Sequence, residues 1–242
     1  MLTMFRNLSA LLFPDRCILC GEIVCGSAVC EECADKLTRC ADVRVCKKCS
    51  RPIPEGQLLC GNCLIAPHYF TACFAAAVYE KELRHSILKY KFYNHPEYSR
   101  GYARLIWERL LSFEVLPRFE LIVCAPLSDI RLKERGYNQS ELIAKELARL
   151  TGLPFCKNCV KKVRHTAAQS SLSYRMRLKN LTGAFRVEKP EDVRGKIVLL
   201  VDDVLTTGAT ADEISKQLLK SGAKKVYVAT AAVTPLRELN TD

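Results

Sequence analysis

Four Cys-x-x-Cys pairs lie close together near the start of the chain, and they limit its possible folds more than any other feature. A pair with this spacing turns tightly around one metal ion, and two such pairs supply the four sulfurs of a tetrahedral zinc site. Gaps of nine residues between the first and second pairs and ten between the third and fourth allow two small zinc ribbons in sequence. The eight predicted zinc ligands are Cys17, Cys20, Cys30, Cys33, Cys46, Cys49, Cys60 and Cys63.

A closed site of four thiolates leaves no position open for a substrate, so we predict two structural zinc ions without a catalytic role. The spacing leaves the pairing open, because the pairs could also be shared between the ribbons. Redox-active dithiols are the competing interpretation. Cys156 and Cys159 form a solitary pair, which we interpret as incidental packing or an exposed turn; a redox function or a weak metal site is the alternative. The other cysteines are predicted to be small buried residues: Cys25, Cys40, Cys73 and Cys124.

The chain is strongly basic, with a formal net charge of +11. Eight thiolates bound to two zinc ions would lower this charge to about +7. A basic balance favours acidic ligands, which include phosphates, nucleic acids and anionic surfaces. Many cysteines without a recognisable secretion signal indicate metal binding in a reducing cytoplasm rather than disulfides. No run of about 18 apolar residues is present, so we predict no membrane span.

Composition divides the chain into two predicted domains. Residues 1–66 hold the cysteine-rich segment and a short N-terminal helix, and we expect a small zinc-binding domain there. Residues 67–242 alternate buried strands, such as "ELIVCAPL", "GKIVLLVDDV" and "KKVYVATAAV", with helices such as "NQSELIAKELARLTG". This alternation is typical of an α/β domain built on a mainly parallel, twisted sheet.

The stretch "VLLVDDVLTTGAT", residues 198–210, joins a buried strand to a helix. Ligands bind beyond the carboxyl ends of parallel strands, where we expect Asp202 and Asp203. Two adjacent carboxylates can accept hydrogen bonds from the vicinal hydroxyls of a ribose or help to hold Mg2+. The hydroxyl and N–H groups of residues 206–210 can surround a phosphate at a helix N-terminus. The pattern predicts a pocket for a phosphorylated sugar; the plainer alternative is an acidic strand end followed by an ordinary helix cap.

This stretch resembles the phosphoribosyl pyrophosphate (PRPP) signature of type I phosphoribosyltransferases. Two further segments, "APLSDIRLKERGYNQSELIAKELA" and "HTAAQSSLSYRMRLKNLTGAF", make the chain similar to the ComF family, whose members also carry an N-terminal cysteine-rich zinc module. The resemblance extends from the first cysteine pair to the last strand. It implies a sheet of the type I phosphoribosyltransferase kind preceded by a double zinc ribbon, with PRPP and Mg2+ as ligands.

The resemblance also assigns roles to individual residues. Asp202 and Asp203 match the catalytic acids that hold the ribose hydroxyls. The loop for the 5′-phosphate matches Thr206, Thr207, Gly208, Ala209 and Thr210. The pyrophosphate loop matches Pro126, Leu127 and Ser128, with Arg131, Lys133 and Arg135 just beyond it. A segment that covers the site in related enzymes matches Gln169, Arg175 and Asn180.

Basic residues concentrate near these motifs. Residues 147–187 contain nine Lys or Arg and no Asp or Glu, which fits either a solvated basic face or a cover over a pyrophosphate. We interpret "RLKERGYNQ" as an anion clamp rather than an exposed helix entry. The aromatic rings of "LKYKFYNHPEYSR" are expected to pack in the core rather than stack on bases. The four histidines show no ligand spacing and are treated as ordinary residues.

Two functions are compatible with this sequence. The first is a phosphoribosyltransferase that transfers the phosphoribosyl group of PRPP to an unidentified acceptor and releases pyrophosphate. The second is implied by the association of ComF-like proteins with natural competence. It is a non-catalytic factor that handles single-stranded DNA during DNA uptake, with DNA or DNA-uptake proteins as partners and a regulatory PRPP pocket. No general base for an incoming acceptor stands out in the sequence, so the acceptor is not named.

Overall fold

The computed structural model describes residues 14–113, 117–164 and 181–235. The helices within these ranges are α1 (Glu31–Ala34), α2 (Gly61–Ile65), α3 (Lys81–Phe92), α4 (Tyr98–Leu111), α5 (Asp129–Arg135), α6 (Gln139–Thr151), α7 (Pro190–Val193) and α8 (Ala209–Lys220). The strands are β1 (Cys73–Val78), β2 (Leu121–Cys124), β3 (Val160–Lys162), β4 (Phe185–Val187), β5 (Ile197–Leu205) and β6 (Lys225–Val233).

Four strands form a parallel sheet in the order β1-β6-β5-β2, which confirms the predicted architecture. β1 and β2 are buried along their whole length because other elements cover both faces of the sheet. Along β5, successive side chains enter two different buried clusters: Val198 and Leu200 lie in one, and Leu199 and Val201 in the other. A separate antiparallel hairpin is formed by β3 and β4.

β5 is longer than its neighbour β2, and we call the step between the carboxyl ends of these two strands the crevice. β2 ends at Cys124, opposite Val201, whereas β5 continues beside β6 to Leu205. Among the described residues, no strand pairs with β5 on its β2 side beyond Val201. Asp202 and Asp203 therefore lie inside β5 and beside the end of β2. The sequence predicted these two acids at the carboxyl end of β5. That prediction is wrong by a few residues, because β5 continues to pair with β6 as far as Leu205.

Helix α6 begins beside this crevice, where its N-terminus is fixed to the chain that leaves β2. The Asn138 Oδ1 atom accepts a hydrogen bond from the backbone N–H of Ser140 (3.1 Å). Its Nδ2 atom donates to the carbonyl of Ala125 (3.0 Å). The predicted N-cap is confirmed, and it also ties the start of α6 to the loop after β2.

The cysteine-rich segment is built onto the edge strand β1. The backbone N–H of Cys40 donates to the carbonyl of Ala76 and that of Val78 donates to Thr38, each at 2.9 Å. Further along the strand, the N–H of Cys73 donates to the carbonyl of Lys48 (2.8 Å). These bonds satisfy backbone groups that an open edge would expose. The division of the chain at residue 66 stays a prediction.

The two halves of the cysteine-rich segment pack on opposite faces of the sheet. Cys17 and Cys33 share a buried cluster with α3, α4 and α6. Cys46 and Cys49 share the other cluster with α8 and the β3–β4 hairpin. Each half therefore supports a different part of the sheet. None of the helices in the described ranges is long and apolar enough to cross a membrane.

Candidate functional site

The eight cysteines predicted as metal ligands gather into two groups of four. One group is Cys17, Cys20, Cys30 and Cys33, and the other is Cys46, Cys49, Cys60 and Cys63. Within each group the sulfur atoms all lie within 4.8 Å of one another. The Sγ atoms of Cys20 and Cys30 are 3.6 Å apart, as are those of Cys49 and Cys60. A zinc ion about 2.3 Å from four tetrahedral sulfurs requires edges of about 3.8 Å, so both groups fit zinc.

The pairs combine in sequence order, so ligands are not shared between the two ribbons. In each ribbon a short helix begins at the second pair: Cys30 directly precedes α1, and Cys60 directly precedes α2. The two groups differ in exposure. All four cysteines of the second group are buried, whereas Cys20 is exposed and Cys30 is half-buried in the first group.

The remaining cysteines follow the sequence prediction with one exception. Cys25 is exposed, so its predicted burial is wrong; it stands directly before Gly26, which has a positive φ of 72°. Cys156 and Cys159 are both buried, and they join no metal-binding group among the described residues. The Cys156 thiol lies 3.3 Å from the Asp192 Oδ2 atom, to which it donates. Packing is therefore the better interpretation of this pair.

The two acids of β5 have different partners. Asp202 accepts a hydrogen bond from the hydroxyl of Ser140 in the first turn of α6 (2.8 Å between Oδ1 and Oγ). The same Oδ1 atom accepts from the backbone N–H of Asp203 (2.9 Å). Asp203 instead forms an ion pair with Lys91 near the end of α3, with 2.9 Å between Oδ2 and Nζ. Both acids thus stand in the crevice with a polar or cationic partner.

Burial and the charge of Asp203 act together on Asp202. Burial, followed by the neighbouring carboxylate of Asp203, raises the pKa of Asp202 from 3.8 to about 7. The hydrogen bond from Ser140 and the positive charge of Lys91 oppose this shift but do not cancel it. Asp202 is consequently a carboxyl group that changes its charge near neutral pH.

The turn of residues 206–210 joins β5 to α8. Gly208 is the residue before the helix and has a φ of 84°, a left-handed conformation that side chains with a Cβ rarely adopt. The Thr207 Oγ1 atom accepts from the backbone N–H of Ala209 (3.4 Å). Thr206 is exposed, and Thr207 and Thr210 are half-buried. Hydroxyls and the first N–H groups of α8 are thus gathered in one turn.

Two residues from distant parts of the chain contact this turn. The Arg51 Nη2 atom donates to the carbonyl of Thr206, which also accepts from the Thr234 hydroxyl (3.3 Å). The imidazole of His68 is buried beside Gly208, where an added Cβ would lie 3.0 Å from its Cε1 atom. Its Nδ1 atom lies 3.4 Å from Asp212 Oδ1 on the first turn of α8.

The residues predicted for the pyrophosphate loop follow β2 directly. Pro126, Leu127 and Ser128 are half-buried, and the Ser128 hydroxyl caps α5 by accepting from the N–H of Arg131 (3.5 Å). The N–H of the preceding Ala125 donates to the Val201 carbonyl of β5 (2.9 Å), which places this loop beside the acids.

Cationic side chains surround the same loop. Burial, together with the nearby charges of Arg131 and Arg164, lowers the pKa of Lys162. Burial also lowers the pKa of Arg135, against the attraction of the Asp203 carboxylate. Lys133 is exposed. Arg131 of α5 and Lys162 of β3 therefore lie close enough to influence each other, and the anion clamp stays a prediction.

The aromatic rings near the end of α3 divide into two sets. Tyr90 and Tyr98 are buried, as predicted. Phe92 and Tyr93 are 61% and 70% exposed, so the prediction of core packing is wrong for these two. Phe92 lies at the C-terminal end of α3, and the Arg135 guanidinium covers its ring at 4.9 Å.

The sequence did not identify Lys91, Ser140, Arg51 or His68 as neighbours of the predicted pocket. Each belongs to an element far from the motif in the chain, and no short pattern marks it. The segment predicted to cover the site, with Gln169, Arg175 and Asn180, lies outside the described residues.

Known families match both parts of the chain. Residues 8–64 match the double zinc ribbon domain, and residues 135–241 match the phosphoribosyl transferase domain. A solved structure of glutamine PRPP amidotransferase from B. subtilis, complexed with ADP and GMP, is similar with a TM-score of 0.38 and 20% identity. That similarity covers 60% of this chain and 30% of the amidotransferase chain.

Two relatives match almost the whole chain. The DNA utilization protein YhgH of Salmonella typhi is 35% identical over 223 residues, which cover 90% of this chain and 96% of that protein. Competence protein F of Haemophilus influenzae is 32% identical over 222 residues, which cover 89% of this chain and 96% of that protein. With these relatives, and with a double zinc ribbon domain followed by a phosphoribosyl transferase domain, the chain belongs to the ComF family.

Proposed function

We propose that the crevice beside Asp202 and Asp203 binds PRPP and that the protein transfers its phosphoribosyl group to an acceptor, releasing pyrophosphate. One observation carries the proposal. The acid pair, the turn of residues 206–210 and the loop after β2 meet where β2 ends and β5 continues. Crevices at the carboxyl ends of parallel strands are the usual ligand sites of open α/β sheets.

The acid pair is suited to hold the ribose. Two carboxylates side by side can accept hydrogen bonds from its two vicinal hydroxyls. Without ligand, Ser140 donates to Asp202 and Lys91 pairs with Asp203. A sugar diol in the crevice therefore either displaces Ser140 and Lys91 or binds to carboxylate lone pairs that these residues do not use.

The turn of residues 206–210 is suited to hold the 5′-phosphate. The N–H groups at the start of α8 point out of the helix at its positive end. The left-handed Gly208 turns the backbone into this helix. The hydroxyls of Thr206, Thr207 and Thr210 add further donors around the same turn.

The cationic side chains near the loop after β2 are suited to the leaving group. In the proposed reaction the bond from C1 of the ribose to pyrophosphate breaks, and pyrophosphate leaves with the electron pair. The acceptor supplies the pair that forms the new bond to C1. Arg131, Arg135 and Lys162 would stabilise the charge that grows on the departing oxygens. Mg2+ bound with PRPP would add positive charge there, and Asp202 and Asp203 offer the oxygen ligands it prefers.

The two four-cysteine groups are proposed to hold zinc in a structural role. Each group offers four sulfurs and no water position, which is the composition of closed zinc sites. No disulfide is present among the described cysteines. Thiolate zinc sites and free thiols persist in reducing compartments, so we propose that the protein works in the cytoplasm.

Isothermal titration with Mg2+ and PRPP tests this proposal, followed by a screen of bases and nucleic acids for pyrophosphate release. The wild-type chain is expected to bind PRPP saturably. The double variant Asp202→Asn/Asp203→Asn should lose that binding, because amides are weaker acceptors for the diol. The matched control Asp35→Asn/Asp42→Asn removes the same two charges at exposed positions of the ribbons and should bind normally. Absence of binding by the wild-type chain would overturn the proposal.

A second candidate is the handling of single-stranded DNA, with the PRPP pocket in a regulatory role. It is favoured by the names of the relatives, a DNA utilization protein and a competence protein, and by the net charge of +11. Fluorescence anisotropy with labelled single-stranded DNA at several salt concentrations tests it. If binding is electrostatic, the logarithm of the association constant should fall linearly with the logarithm of the salt concentration. The Asp202→Asn/Asp203→Asn variant should bind DNA as well as wild type, and an affinity independent of salt would exclude this interpretation.

A further inference from the structure

The second zinc ribbon reaches the turn that is proposed to bind the 5′-phosphate. Arg51 follows the Cys46/Cys49 pair by two residues, and its Nη2 atom donates to the carbonyl of Thr206. The whole residue is only 3% exposed. The bond joins residues 155 positions apart in the chain. A side chain of the cysteine-rich segment is thus a direct neighbour of the predicted phosphate loop.

The backbone of Arg51 is fixed by the cysteine pair itself. The N–H of Cys46 donates to the Arg51 carbonyl (2.8 Å), and the N–H of Ser50 donates to the carbonyl of Cys46 (2.9 Å). The Ser50 hydroxyl donates to the Cys73 carbonyl at the start of β1 (2.5 Å). The same turn that presents two zinc ligands therefore sets the position and direction of Arg51.

The guanidinium of Arg51 is in an unusual electrostatic position. Among the described residues no carboxylate forms an ion pair with it, and its Nη1 atom is buried without a hydrogen-bond partner. A buried charge without a counter-charge is unfavourable. A zinc ion held by the four thiolates of the second ribbon would carry a net charge of −2, and a phosphate on residues 206–210 would add negative charge near the Arg51 guanidinium.

We infer that Arg51 is a positioning residue through which the second zinc ribbon fixes the phosphate loop in the shape that accepts the 5′-phosphate. This inference rests on the proposed function. Arg51 holds the Thr206 carbonyl, and this contact would fix the direction of the N–H groups in the turn. The first ribbon has no such role, because its cysteines pack with α3, α4 and α6 on the other face of the sheet.

The chain offers a matched control for this contact. Arg104 of α4 donates to the carbonyl of Gly26 in the first ribbon, so it also joins a ribbon to the rest of the fold through an arginine–carbonyl bond. Arg104→Met and Arg51→Met therefore remove the same kind of bond. They differ in which ribbon is involved, and Arg104→Met also removes an ion pair with Asp15 (3.4 Å between Nη2 and Oδ2).

The experiment measures two ligands, each with Mg2+, by isothermal titration. Ribose 5-phosphate reports the phosphate loop, and pyrophosphate reports the loop after β2. Arg51→Met should weaken ribose 5-phosphate binding about tenfold or more, because it removes one hydrogen bond from a charged donor. The affinity for pyrophosphate should not change. Arg51→Lys should restore most of the affinity, and Arg104→Met should bind both ligands as wild type does. Zinc content should stay at two ions per chain in every variant.

The outcomes separate the inference from the proposed function. If wild type binds neither ligand, the proposed function fails. If wild type binds both and Arg51→Met binds ribose 5-phosphate equally well, or loses both ligands equally, the inference is overturned. If Arg51→Met does not fold, Arg51→Gln, which removes the charge but keeps a polar side chain, decides: a selective loss for ribose 5-phosphate supports the inference, and unchanged binding overturns it. Faster hydrogen exchange at the N–H groups of Ala209 and Thr210 in an Arg51 variant without ligand would support it independently.

Discussion

Replacing Asp202 with Asn should make the ligand-free protein more stable while it removes ligand binding. The substitution is nearly isosteric. The side-chain oxygen of Asn can still accept the hydrogen bonds from the Ser140 hydroxyl and the Asp203 N–H. What changes is the charge, which the folded protein disfavours because burial and Asp203 raise the pKa of Asp202 from 3.8 to about 7.

The size of the effect follows from the two pKa values. Between pH 3.8 and 7 the folded protein keeps the Asp202 proton while the unfolded chain has lost it, so stability falls as pH rises and levels off above pH 7. Three pKa units at about 1.4 kcal/mol each give a gain of at most about 4 kcal/mol for Asp202→Asn at pH 8. At pH 5.5 the gain should be about 2 kcal/mol, because Asp202 is still protonated in folded wild type and the full cost of its ionisation does not yet apply.

Thermal unfolding of the zinc-loaded wild type and variant at pH 8 and pH 5.5 measures this difference. For a chain of this size each kcal/mol shifts the midpoint by about 2–4 °C. Asp203→Asn is the matched control, and it should stabilise less because it leaves Lys91 without its partner. Equal gains for Asp202→Asn at both pH values, or a loss at pH 8, would refute the assignment of a raised pKa.

Three other properties follow from the same geometry. Affinity for PRPP with Mg2+ should fall about tenfold between pH 8 and pH 6 in isothermal titration, because protonated Asp202 loses acceptor capacity; a flat profile would contradict this. Gly208→Ala should cost about 1–2 kcal/mol in thermal unfolding because its φ is 84° and the new Cβ would crowd His68, whereas Gly56→Ala, with a φ of 82° and open space, isolates the strain of the backbone alone. Zinc should leave in two phases when a chelator and a pyridylazo dye are added, the faster from the group with exposed Cys20; a single phase would show that the groups do not differ.

The sequence was sufficient for the features that depend on local pattern. The cysteine pairs predicted two four-sulfur groups because Cys-x-x-Cys spacing places two sulfur atoms close enough to bind one metal ion. The N-cap at Asn138 and the buried strands β2, β5 and β6 follow from short-range signals of residue type and periodicity. The spacing left the pairing of these cysteines open, and the structure combines neighbouring pairs, which close the smaller loops at lower entropic cost.

Contacts that join distant segments could not be predicted in this way. Ser140 and Asp202 are 62 positions apart, and Lys91 and Asp203 are 112 apart. Each contact depends on how α3 and α6 pack against the sheet. The strand register also decides that Asp202 lies inside β5, because β6 continues beside it to Val233.

Residue type alone misled the sequence analysis at exposed positions. Cysteine and phenylalanine are usually buried, yet Cys25 and Phe92 are exposed. Cys25 stands before the left-handed Gly26, and Phe92 is placed at the end of α3 with the Arg135 guanidinium over its ring. Both positions are set by the local backbone rather than by hydrophobicity.

A crystal structure grown with PRPP and Mg2+ would test the binding site directly. We predict density for the ribose hydroxyls at the carboxylates of Asp202 and Asp203 and for the 5′-phosphate at the N–H groups of residues 208–210. Pyrophosphate should lie against the loop of residues 126–128. Density for the ligand elsewhere, with Lys91 still paired to Asp203 in an empty crevice, would contradict the proposed site.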